Sequence, residues 1–139
     1  MSTEQNKQLV RRLIEEVINQ RKMDLIEELF TPDFVEHEAV PPGVPPGRDG
    51  LKALFGMVHS AFPDFQATIE HLIAEGDHVV LHMNWAGTHE ADFMGIPPTG
   101  KTISITVIDI MGITEGKIAA HWGVMDQMTL MQQLGVMPT

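Results

Sequence analysis

Asp109, His121, Trp122 and Asp126 lie close together near the C-terminal end of this chain, and His37 lies far upstream. These are the residues whose types and spacing suit acid–base chemistry. Asp109 is embedded in Val107-Ile108-Asp109-Ile110-Met111. An ionised carboxylate does not rest among apolar neighbours without a partner. It is paired, held protonated, or turned toward a cavity. Residues 103–135 read as strand, tight turn, strand, helix, with the turn at Thr114-Glu115-Gly116-Lys117. A two-residue loop, Glu115-Gly116, sets Asp109 opposite Trp122; a three-residue loop sets it opposite His121. Glu-Gly is a weak signal for the two-residue primed turn, which prefers Asn-Gly or Asp-Gly. The favoured expectation is the longer loop, with Gly116 in a bulge and Asp109 facing His121. Side chains so placed stand about 5 Å apart and could share a proton. A buried ion pair that merely holds two strands in register is the equal alternative.

His37 follows a helix stop and is a candidate general base near neutral pH, or else a plain loop histidine. Asp126 stands where a helix should begin, the usual place of an N-cap. His78 and His82 share a strand face but are about 13 Å apart, too far to bind one ion. No His-x-x-x-His, phosphate loop or Gly-x-Ser-x-Gly elbow occurs, so neither a metal nor a cofactor is expected.

The 139 residues suit a single domain, 1–139, with an adequate core. The formal net charge of -10 disfavours nucleic acid and anionic membranes as partners. The chain has no cysteine, no apolar run long enough to span a bilayer, and a polar start without a leader pattern, so a cytoplasmic location is expected. Ten methionines against six Phe, two Trp and no Tyr point to soft, adaptable apolar packing.

The elements that must position these residues follow from periodicity. Leu9, Val10, Leu13, Ile14, Val17 and Ile18 predict a helix over 3–19, capped by Ser2 or Thr3. A short helix over 23–30 is stopped by Thr31-Pro32, and 34–37 is extended. After the proline-rich loop 40–47 comes a helix over 49–61, striped by Leu51, Leu54, Phe55 and Val58. Strands are expected at 65–74, 78–89, 101–114 and 117–125, then a last helix stopped by Gly135. Helices followed by an antiparallel meander form an α+β pattern, able to leave a pocket between layers.

Phe62-Pro63-Asp64, Ala74-Glu75-Gly76-Asp77, Gly87-Thr88-His89, Gly95-Ile96-Pro97-Pro98-Thr99-Gly100-Lys101, Gly116-Lys117-Ile118, His121-Trp122 and Gln133-Leu134-Gly135 together resemble the SnoaL-like ester (polyketide) cyclases. Phe34 to His37 and Gly47-Arg48-Asp49-Gly50 extend the likeness through the first half. The resemblance implies the cone-shaped nuclear transport factor two-like (cystatin-like) fold, a curved antiparallel sheet wrapped around three N-terminal helices with an internal apolar pocket. It also implies a homodimer, and an intramolecular aldol closure carried out by acid–base side chains without metal or cofactor. The cyclases' catalytic Asp falls here on Gly123, and their strand histidine on Asp109. Val107 to Met111 and Val35-Glu36-His37 also look like pieces of the ketosteroid isomerases, which keep a carboxylic acid neutral in an apolar site. The isomerases' oxyanion Tyr would fall near Leu13.

The expected function is therefore cofactor-independent cyclisation or isomerisation of an apolar, carbonyl-bearing small molecule. His37 would take the proton beside the carbonyl, and Asp109, protonated or sharing a proton with His121, would hold the enolate. Phe34, Met57, Met83, Trp85, Met111 and Met125 are wall candidates, Phe93 and Met94 a lid, and Trp122 and Asp126 further binding candidates. A non-catalytic binding or structural dimer is the alternative. A third is hydrolysis or dehydration, as in epoxide hydrolases of this fold.

Overall fold

The computed structural model describes residues 2–138. Ser2 caps the first helix, α1 (Thr3–Arg12): its Oγ accepts the Gln5 N–H at 3.1 Å, and the Gln5 side chain accepts the Ser2 N–H at 3.0 Å. The helix continues over Leu13–Asn19 in a wider, π-helical winding. Its apolar residues recur in pairs four apart (9/10, 13/14, 17/18), and all are buried. That spacing exceeds the 3.6-residue α period, and wider winding keeps every pair on the core side. A 3-10 turn (Met23–Leu25) leads into α2 (Ile26–Leu29). Phe30 then turns extended and begins β1 (Phe30–Glu36).

The helix α3 spans Gly47–Ala61 and buries Leu51, while Leu54, Phe55 and Val58 are only half-buried. Four strands follow: β2 (Gln66–Glu75), β3 (His78–Thr88), β4 (Thr102–Thr114) and β5 (Lys117–Met125). Asp126 caps α4 (Gln127–Leu134), its Oδ1 accepting the Thr129 N–H at 3.1 Å. The sheet order is β1-β5-β4-β3-β2. β2 to β5 form the expected antiparallel meander, but β1 joins β5 in parallel, so the sheet is mixed rather than antiparallel throughout. β1 lies at the sheet edge, where Pro32 is tolerated for want of an N–H to donate.

Strict alternation along β4 turns Ile103, Ile105, Val107, Asp109, Met111 and Ile113 inward, and Ser104, Thr106, Ile108 and Ile110 outward. The inward set packs on the helices in one core. The hairpin register differs from the favoured three-residue loop. The turn is the two-residue Glu115-Gly116, with φ of +50° and +77°, and Thr114 pairs with Lys117. A bulge between Gly112 and Ile113 then shifts the ladder by one, so Asp109 faces Gly123 and Met111 faces His121. Glu115 accepts the left-handed conformation because the primed turn matches the strands' twist. The bulge restores the inward orientation of His121.

Candidate active site

Alternation also explains the site. Phe34 is buried, so Glu36, two residues on, shares its inward face, and His37 turns outward. On β5, His121, Gly123 and Met125 face in while Trp122 and Val124 face out. Glu36, Glu38, Asp109 and His121 thereby meet at one end of the concave side of the sheet. His121 donates from Nε2 to Asp109 Oδ1 at 2.8 Å and from Nδ1 to Glu36 Oε2. Glu38 Oε1 lies 4.0 Å from His121 Nε2, and the Glu38 N–H donates to Glu36 Oε2 at 3.2 Å. Asp109 and His121 thus meet diagonally across the ladder, not as directly opposed residues.

Gly123 makes this diagonal possible. A Cβ there would stand 2.3 Å from Asp109 Oδ1 and 2.8 Å from both Glu38 Oε1 and His121 Nε2. The converging polar atoms occupy the space a side chain would need. The Asp109 carboxyl comes from β4 into the room above a bare β5 position.

Burial opposes charge on His121, but its hydrogen bonds to Asp109 and Glu36 outweigh it, and its pKa is pushed up to about 10. The ring is an imidazolium at neutral pH, with both N–H groups donating to carboxylates. Glu38 is raised above the ordinary carboxylate range, first by burial and further by the charges of Asp109 and Glu36, against the pull of His121. Burial thus weakens the preference of Glu38 for its charged form. Glu38, Asp109 and His121 each bring one donor atom within 4.8 Å of the others, close enough to contact one cation.

Glu36, Glu38, Asp109 and His121 line one end of a cavity of about 70 Å³. Phe34, Phe55, Trp85, Met111 and Met125 supply apolar wall. A second cavity of about 130 Å³, reaching Met57, Phe93 and Met94, shares Glu38, Phe55, Trp85 and Met125 with the first. Among the expected wall residues, Met83 is wholly buried in the core and lines neither cavity. His37 is exposed and lies on the outer side, stacked on Trp122 with ring centroids 4.6 Å apart. Asp126 is occupied as the α4 cap. Phe93 is buried and Met94 is 48% exposed, at the mouth side of the second cavity. Glu36 and Glu38 escaped the sequence reading. The signal was present: a strand that buries Phe34 cannot also bury His37.

This concave sheet, its helical cover and its acid–base end define the chain's class. The family model of the SnoaL-like polyketide cyclases matches residues 8–134, and the chain belongs to that family. It is 28% identical over 119 residues to the nogalonic acid methyl ester cyclase of Streptomyces nogalater, covering 84% of this chain and 88% of that one. Among solved structures, TsrD from Streptomyces laurentii superposes with a TM-score of 0.89 at 28% identity, over 99% of each chain. Wild-type IdmH from Streptomyces antibioticus gives 0.81 at 33% identity, over 95% of this chain and 99% of that one.

Proposed function

We propose that the protein is a cofactor-independent acid–base catalyst that enolises an apolar, carbonyl-bearing small molecule, leading to aldol-type ring closure or isomerisation. The observation that carries this reading is the Glu36–His121–Asp109 chain, with Glu38 beside it, opening into an apolar cavity. Neutral Glu38 donates to the substrate carbonyl oxygen. Asp109 takes the proton from the adjacent carbon, and the electron pair moves onto that oxygen, where Glu38 stabilises the enolate. The carbon then attacks a second carbonyl of the same molecule, or is reprotonated elsewhere. His121 is a positioning residue: its Nε2–H holds the Asp109 carboxyl in place, and Glu36 fixes its ring. His37 has no part in this scheme.

The similarity to an ester cyclase supports the cyclising branch. The experiment is exchange of the α-hydrogens of 1-tetralone for deuterium in heavy water, followed by NMR. Protein-dependent exchange that is lost in Asp109→Asn is the expected result. A rate equal to buffer alone would leave the binding alternative in place.

The same reading includes a homodimer through the convex face of the sheet. Ile73, Ile108, Ile110, Trp122 and Val124 are 60%, 43%, 38%, 38% and 69% exposed there, a patch that a monomer would leave in water. Light scattering should give twice the chain mass, and Val124→Glu should give the single mass.

A further inference from the structure

Four buried side-chain polar atoms among the described residues have no hydrogen-bond partner: Asn6 Oδ1, Thr31 Oγ1, Trp85 Nε1 and His89 Nε2. Only Trp85 among these residues lines a cavity, and it lines both. A buried indole N–H without an acceptor is destabilising, a cost a sequence escapes by placing Phe there. Trp85 is held in place by an edge-on contact with Phe65, ring centroids 5.2 Å apart and planes at 83°. It stands on the inward face of β3, beside Met125 and Phe55. Met125 belongs to the wall shared by the two cavities, and its unbranched side chain can shift to admit a longer ligand.

We propose that Trp85 is a specificity residue whose indole N–H donates a hydrogen bond to a second oxygen of the ligand, distinct from the reacting carbonyl. This rests on the carbonyl reading above. The separation follows from the ladder. Trp85 pairs with Ile105 and Leu81 with Asp109, four residues apart on β4. That is roughly 13 Å of strand, before the side chains lean toward each other. One oxygen cannot serve both places. The fitting ligand is an elongated ring system with a carbonyl at the Asp109–Glu38 end and an acceptor-only oxygen, such as an ether or a second carbonyl, about a ring or more away. A hydroxyl whose proton needs an acceptor gains less, because the indole only donates.

The test uses a matched pair of ligands, 6-methoxy-1-tetralone and 6-ethyl-1-tetralone, which differ in whether the distal group carries an acceptor. Each is titrated into ¹⁵N-labelled wild-type protein, with the two indole N–H resonances followed by NMR. Trp122, on the outer face, is the internal control. The expected result is roughly 3- to 10-fold tighter binding of the methoxy compound. The Trp85 indole proton moves downfield with that ligand alone, while Trp122 stays in place. Trp85→Phe, which keeps a ring against Phe65, should bind both compounds equally. If both bind wild type with equal affinity and the Trp85 resonance answers them alike, the donor role is overturned and the carbonyl reading survives. If neither binds and 1-tetralone exchange is also absent, the carbonyl reading fails and this inference fails with it.

Discussion

The two faces of one sheet hold the same residue types in opposite circumstances. On the concave face, the largely buried His121 lies between Asp109 and Glu36, both hydrogen-bonded to it. On the convex face, His37 stacks on Trp122 and His71 stacks on His82, with ring centroids 4.6 and 5.2 Å apart. His37 and His121 are even joined directly, the His37 N–H donating to the His121 carbonyl at 2.9 Å. Yet one ring lies in a low-dielectric cluster of carboxylates, and the other lies in solvent against an indole. The difference comes from the two-residue period of a strand, which sends neighbours to opposite faces. Histidine alone therefore does not mark the chemistry; a histidine on the same face as buried carboxylates does.

The sharpest way to break this contrast is Asp109→Asn. It removes the proposed base and half of the clamp on His121. Exchange of 1-tetralone α-hydrogens should fall by about 10²–10⁴-fold. Urea unfolding should show a loss of about 3 kcal/mol, because a buried charge loses a partner. Next comes pH. A folded-state pKa raised from 6.5 to about 10 means that the His121 contribution to stability is fully present below 6.5 and is lost as pH rises toward 10. The melting temperature should fall across that window, and His121→Gln should remove most of the fall. Glu38→Gln keeps a donor at the carbonyl but cannot ionise. Its exchange rate should drop by about tenfold, and the decline that wild type shows as Glu38 loses its proton should disappear from the pH–rate profile. The smallest effect belongs to the convex face: His37→Ala should leave the exchange rate unchanged while altering Trp122 fluorescence.

Much of the fold was legible because its signals are local. The apolar pairs of residues 9–18, the cap at Ser2 and the alternation along 103–113 each declare their element. The odd carboxylate of β4 signalled a partner, and Asp109 is hydrogen-bonded to His121. The register between them was not legible. Glu115-Gly116 is a weak primed-turn signal, and a bulge at Gly112/Ile113 leaves no mark in composition. Strand parity separates the neighbours Glu36 and His37: with Phe34 buried, Glu36 faces in and His37 faces out. The parallel docking of β1 on β5 is a long-range pairing that no local pattern encodes. Gly123 reads as an acid missing from its usual place, but the structure shows its space filled from the neighbouring strand by Asp109.

The most direct test of the central claim is the ionisation of His121, followed by ring-carbon NMR from pH 5 to 11, in wild type and Asp109→Asn, with and without 1-tetralone. The expected result is an imidazolium that persists to about pH 10 in wild type, a clearly lower midpoint in the variant, and a shift when the ketone binds. A midpoint near 6.5 in both proteins, indifferent to the ketone, would contradict it. The inner cluster would then be no different in kind from the histidines of the outer face.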